Sequence, residues 1–178
     1  GAYGDAGMIV TDDAEQADFM RRLGNHGRFD KYTHSHVGFN YRLDGIQAAV
    51  LDVKLGHIDG WNERRRSRAK RYDEGFADGP VRPVKEGPGR HHVYHLYVVR
   101  TPERDKLLDA LGERGIAAGI HYPVPLHLQK AYEDLGIGEG AFPVSEKAAK
   151  EIVSLPMYPE LTDEMVDEVV AAVKDILG

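Results

Sequence analysis

Apolar residues at Leu43, Ile46, Val50, Leu55, Ile58, Trp61, Ala69, Tyr72 and Phe76 recur mostly three or four positions apart. That spacing draws one stripe along a helix and predicts a rod of ~30 residues, roughly 45–50 Å long. Asp44 and Gln47 stand at capping-box spacing at its head, so the rod is expected to start there. A helix of that length joins two bodies, and the loop before it, carrying Asn40 and Arg42, is expected where they meet.

Upstream, the run Met8-Ile9-Val10 reads as a strand, and Asp12 with Glu15 starts a helix with an inner face of Ala14, Ala17, Phe19, Met20 and Leu23, closed by Gly24. The chain opens without Met on GAYGDAG and reaches that strand in midstream, so we expect the C-terminal part of a longer polypeptide. Downstream, Gly79-Pro80 and Gly87-Pro88-Gly89 bracket an extended piece at 81–84. The run HVYHLYVVR, 92–100, is dense in β-branched and aromatic residues and reads as a buried strand. Thr101 and Pro102 open a helix with Leu107, Leu108 and Leu111 inward and Gly115 at its end, and a short strand follows over 116–121. Pro123 and Pro125 hold the next stretch extended. Ser145 opens a helix through Ile152, and Thr162 caps a last one whose buried side is Met165, Val166, Val169, Val170, Val173 and Ile176. Strand, helix and strand in that order predict an α/β layer from about Pro80 onward.

Composition narrows the class. At 42% hydrophobic and 29% charged residues, with mean hydropathy −0.46, the chain has the makeup of a soluble globular protein. A net charge of −6 argues against nucleic-acid binding, which needs a basic field. No stretch is long and apolar enough for a bilayer, and without Cys both disulfides and thiolate chemistry are excluded. A cytoplasmic location is the expectation.

Hydrolytic chemistry is poorly supplied: there is no G-x-S-x-G elbow and no Walker loop. Nine His include no H-E-x-x-H, and the pairs His34/His36 and His91/His92 lack further ligands at a suitable spacing, so no metal site is expected. The run from Glu63 to Arg71, with four Arg and a Lys before the last Arg, is an anion site or, as spacing favours, the solvated face of a helix. Asn40-Tyr41-Arg42 offers an amide and a planar cation just before a helix start, which suits a phosphate or carboxylate and equally an interdomain clamp. Gly119-Ile120-His121-Tyr122-Pro123 sets an imidazole and a phenol at a strand end; spacing alone favours a buried Tyr satisfied by backbone.

The blocks GAYGDAGMIVT, RLGNHGR, GFNYRLDGIQAAVLDVKL, WNERRR, VYHLYVVR, GIHYPVPLHLQ and FPVSEKAAKEIVSLPMYPELT, in order along the whole chain, resemble the second half of the DegT/DnrJ/EryC1/StrS sugar aminotransferases. The resemblance implies an α/β fold, the C-terminal part of a fold-type I pyridoxal-phosphate (PLP) transferase. Residues 1–42 would be the tail of the large PLP-binding domain, 43–78 the long interdomain helix and 79–178 the small C-terminal domain. It further implies a homodimer with shared active sites. Asn40 would reach the cofactor phosphate of the partner subunit, Arg42 the cofactor or the sugar nucleotide, and His121 and Tyr122 would line the sugar pocket. Tyr32 and His34 would meet the pyrophosphate or sugar.

The family's Schiff-base lysine precedes the GAYGDAG block and so lies upstream of Gly1, together with the acid at the pyridine nitrogen and the aromatic on the ring. Lys31 and Lys54 match no catalytic position, and the 178 residues alone are expected to be inactive. The implied reaction is a ping-pong transfer of an amino group, from glutamate, to a 3-keto or 4-keto hexose nucleotide in amino-sugar biosynthesis. The HYPVPLHLQ block leans to 3-keto substrates, and Arg42 leaves a uronate open. Alternatives are the family's dehydratase subgroup, with His in place of the lysine, and a catalytically silent dimerisation or binding module.

Overall fold

A computed structural model describes all residues 1–178, which divide into two compact units, Gly1–Ile58 and Asp59–Gly178. Its helices are α1 (Ala14–Leu23), α2 (Gly45–Leu55), α3 (Ile58–Gly75), α4 (Arg104–Glu113), α5 (Pro143–Glu151) and α6 (Asp163–Leu177), and its strands are β1 (Arg82–Pro83), β2 (Tyr97–Arg100) and β3 (Ile152–Leu155). No helix is long and apolar enough to cross a membrane.

In the unit Asp59–Gly178 the strands form one antiparallel sheet in the order β1-β2-β3. Alternation decides its faces. Tyr97 and Val99 of β2 and Val153 and Leu155 of β3 are buried together with Leu107 and Leu111 of α4 and Val166, Val169 and Val173 of α6. The apolar face of α6 read from the sequence is therefore the core face, apart from Met165, which is exposed. Thr162 caps that helix by accepting from the Met165 N–H at 3.3 Å. α3 adds Ala69, Tyr72 and Phe76, and the Tyr72 ring stacks on Tyr97 at 4.6 Å. Gly75 lets α6 approach closely, since a Cβ there would lie 2.8 Å from Val170 Cγ2.

The basic run is scaffold. Arg65 donates to Asn62 and the Val93 carbonyl, Arg66 to Glu86 and the His92 carbonyl, Arg68 to Asp163 and the Leu161 carbonyl, and Arg71 to both oxygens of Asp167. Four guanidinium groups, all partly buried, are thus spent on tying one unit together, so this part of the run is neither a solvated face nor a free anion site.

Several elements differ from expectation for local reasons. The single rod is two helices, because the chain turns at Gly56 and His57, whose N–H groups both reach back to the Lys54 carbonyl. Met8, Ile9 and Val10 form no strand: no ladder partner pairs with them, and their side chains are 85%, 74% and 83% exposed. The 92–100 strand shrinks to Tyr97–Arg100, because Tyr94 takes a left-handed φ of +50° and donates its N–H to His92 Nδ1. The 116–121 strand reduces to a bridge between Gly119 and Ser154.

Caps shift by one or two residues. Asp13, not Asp12, holds α1 by accepting from Glu15 and Gln16, and Gly24 stays right-handed there. Asp44 makes no side-chain cap bond, while Gln47 Oε1 accepts from the Tyr3 N–H at 2.8 Å. Thr101 accepts from Glu103 ahead of α4, which starts at Arg104 rather than at Pro102, and α5 starts at Pro143 rather than Ser145. Gly115 does end α4, with φ +74° and the Ile116 N–H returning to the Leu111 carbonyl.

Candidate functional site

Two groups of polar side chains stand out, one in each unit. In Gly1–Ile58, residues 25–40 double back on themselves at two glycines. A Cβ on Gly27, at φ +67°, would sit 1.9 Å from the His36 carbonyl oxygen, and one on Gly38 2.1 Å from the Gly27 nitrogen, so no other residue fits either place. The crossing clamps 39–41 against the end of α1: Phe39 N–H donates to Leu23 O, His26 N–H to Phe39 O and Tyr41 N–H to Gly24 O, each at 2.8 Å.

Asn40 is fixed by this clamp. Its Oδ1 accepts from Arg42 Nε at 3.0 Å. The amide oxygen is engaged inside the pair, and the amide Nδ2 hydrogens and the outer guanidinium nitrogens remain as donors for a ligand. Both residues are exposed. Such a donor set fits a phosphate or a carboxylate and repels a cation, so the residues present suit a phosphorylated cofactor.

Tyr32 and His34 lie in the same loop. Asp30 accepts from the Tyr32 N–H at 2.9 Å and the Thr33 N–H at 2.8 Å. These bonds hold the Asp30 carboxyl below its usual range and fix the turn that leaves Tyr32 exposed. His34 Nδ1 lies 2.8 Å from the His26 carbonyl oxygen. A carbonyl only accepts, so Nδ1 carries the proton and the neutral ring offers Nε2 as an acceptor.

In Asp59–Gly178, His121 and Tyr122 follow the Gly119 bridge. Tyr122 is 72% exposed, which rules out a buried phenol, and its ring meets that of His121 edge-on at 5.5 Å. His121 Nδ1 lies 3.0 Å from Ser154 Oγ on β3. The chain beyond is pinned at Glu146 of α5, which is buried and accepts from the N–H groups of Gly140 and Phe142 and sits 3.0 Å from His127 Nε2. Backbone donation from Gly140, then from Phe142, with help from His127, keeps the Glu146 carboxyl below its ordinary range. The structure thus brings Asn40 with Arg42, and His121 with Tyr122, into side-chain contact. Tyr32 and His34 share a loop.

Ser154 and Glu146 were not singled out from sequence. Ser154 had a signal, a lone hydroxyl inside the apolar run Ile152-Val153-Ser154-Leu155; Glu146 had none, since a helical Glu is ordinarily exposed.

Comparison with known proteins agrees over nearly the whole chain. The model of the DegT/DnrJ/EryC1/StrS aminotransferase family matches residues 2–174. A pleiotropic regulatory protein of Geobacillus stearothermophilus is 49% identical over 98% of this chain and 48% of its own length. The dTDP-3-amino-3,4,6-trideoxy-alpha-D-glucose transaminase of Streptomyces venezuelae is 42% identical over 98% of this chain and 46% of its own. The crystal structure of DesV from S. venezuelae superposes with TM-score 0.95 at 42% identity, covering 98% of this chain and 47% of that one. The chain spans about half the length of the curated relatives it matches.

Proposed function

From the premise that this chain belongs to the DegT/DnrJ/EryC1/StrS aminotransferase family, whose fold-type I scaffold it shares, we propose that the whole protein is a PLP-dependent sugar-nucleotide aminotransferase. It moves an amino group, from glutamate, to a keto-sugar nucleotide in amino-sugar biosynthesis. The family is PLP-dependent, and the 3-amino sugar in the name of the S. venezuelae relative supports a 3-keto hexose as acceptor.

When bound, PLP supplies the electron sink that lets an amino group leave one carbon and join another. The residues of this chain hold and orient. Asn40 and Arg42 grip the cofactor phosphate, and Arg42 also reaches the sugar nucleotide. His121 and Tyr122 line the sugar, while Tyr32 and His34 face the pyrophosphate or sugar. We place Asn40 at the cofactor of a partner subunit in a homodimer. The apolar, outward-facing Ile46, Val53 and Leu55 of α2 support a surface that is covered by protein.

The reading rests on the Asn40–Arg42 pair, whose exposed amide and guanidinium N–H groups stand just before α2 as donors for an anion. Titrating the whole protein with PLP tests it. Asn40→Ala and Arg42→Ala are each expected to weaken cofactor affinity roughly tenfold or more, as befits loss of a charge-assisted phosphate contact. Unchanged affinity in both would remove them from the phosphate site.

A further inference from the structure

The imidazole of His121 rests in a seat built by two residues of the sheet. Gly119 and Ser154 exchange backbone bonds, Gly119 N–H to Ser154 O at 3.0 Å and Ser154 N–H to Gly119 O at 2.7 Å. The ring then folds back over Gly119: a Cβ there would lie 3.3 Å from His121 Cε1 and 4.0 Å from Nδ1. A side chain at 119 would crowd the ring, so the bare glycine is part of the seat. Ser154 projects from β3 on the side opposite Val153 and Leu155, which face the core, and so meets the ring rather than the core.

The hydroxyl decides the proton's place on the ring. Ser154 is buried, both its backbone groups are taken by Gly119, and His121 Nδ1 is the partner of its Oγ. If Nδ1 donated to Oγ, the Ser154 O–H would be left buried with no acceptor, the arrangement folded proteins avoid. If Ser154 donates to Nδ1, every group is satisfied, and the ring must carry its proton on Nε2. His34, bonded to a carbonyl through Nδ1, is fixed in the opposite tautomer.

We propose that Ser154 is a positioning residue that locks His121 in the Nε2–H tautomer, so that the imidazole presents a hydrogen-bond donor to an oxygen of the sugar substrate. The inference rests on the reading that His121 lines the sugar pocket. It specifies what His121 recognises, a carbonyl, hydroxyl or anionic oxygen and not a donor group, and it names the residue that enforces the choice.

Two readouts separate its parts. Long-range ¹H–¹⁵N correlation spectra of the ¹⁵N-histidine-labelled whole protein at neutral to mildly alkaline pH, with His121 assigned by its loss in His121→Gln, report the tautomer directly. We expect an unprotonated Nδ1 in the native protein, a mixture of tautomers in Ser154→Ala, and the native pattern restored in Ser154→Thr. A proton on Nδ1 in the native protein, which needs no variant to detect, overturns the proposal, as does an unchanged spectrum in Ser154→Ala.

In the whole protein, Ser154→Ala is expected to raise KM for the keto-sugar nucleotide roughly three- to tenfold, with the amino-donor half-reaction unchanged and Ser154→Thr close to native. If the tautomer moves as expected and KM does not, His121 makes no sugar contact. That result overturns the substrate half of the proposal together with the assignment of His121 it rests on, and leaves the Asn40–Arg42 reading intact.

Discussion

Replacing Leu111 with alanine removes three carbons from a side chain with no solvent exposure, set on α4 among the buried faces of β2, β3 and α6. At about 0.8 kcal/mol per buried carbon the transfer loss alone is about 2.4 kcal/mol. The sheet on one side and α6 on the other cannot both close on the gap, so a cavity cost brings the total to about 3–4 kcal/mol, inside the range for buried Leu→Ala changes. The helix itself is not weakened, since alanine is the best helix former and the carbonyl at 111 keeps its bonds from Arg114 and Ile116. In a unit of roughly 120 residues that loss lowers Tm by about 10–20 °C. Urea titration of native and variant chains measures it, with the midpoint falling and the slope unchanged. Met165→Ala, at a position 45% exposed, serves as the comparison and should cost less than about 1 kcal/mol. A Leu111→Ala loss below about 1 kcal/mol would refute the packing described for this core.

The two helix starts that look alike in sequence should respond differently. Thr162→Ala removes a formed cap on α6 and is expected to cost about 1 kcal/mol, while Asp44→Ala should leave the melting curve nearly unmoved, because its side chain makes no cap bond. Glu146 sets a pH limit. Its folded-state carboxyl titrates below the unfolded value, so the stability it adds is fully present above about pH 4.3 and is lost as pH falls through the lower folded-state value. Hydrogen exchange at Gly140 and Phe142 should therefore stay protected at neutral pH and open only in acid; Glu146→Gln should open it at pH 7. Protection unaffected by that substitution would mean the carboxylate does not pin 127–142.

Periodicity located the helices well but not where they break or what they bury. The stripe from Leu43 to Phe76 is split between two helices and only Ala69, Tyr72 and Phe76 of it are buried, since burial depends on α6 and the sheet and not on the helix that carries the spacing. The turn at Gly56 was visible as a glycine, but a glycine inside a helical pattern is compatible with either outcome. Strand lengths failed where one residue left the extended region, as at Tyr94.

Of the candidate site, the residue types before α2 and after Gly119 were readable because turns and polar pairs are written locally. The Asn40–Arg42 bond spans two positions and was within reach. The Ser154–His121 bond spans 33, and only the fold discloses it.

Amino transfer by the whole protein is read from the products it forms. Purified protein with PLP, glutamate and a dTDP- or UDP-linked 3-keto hexose should release 2-oxoglutarate and the 3-amino sugar nucleotide one for one, and Asn40→Ala should slow both equally. Bound PLP with no 2-oxoglutarate formed from glutamate, in the presence of either keto-sugar nucleotide, would contradict it.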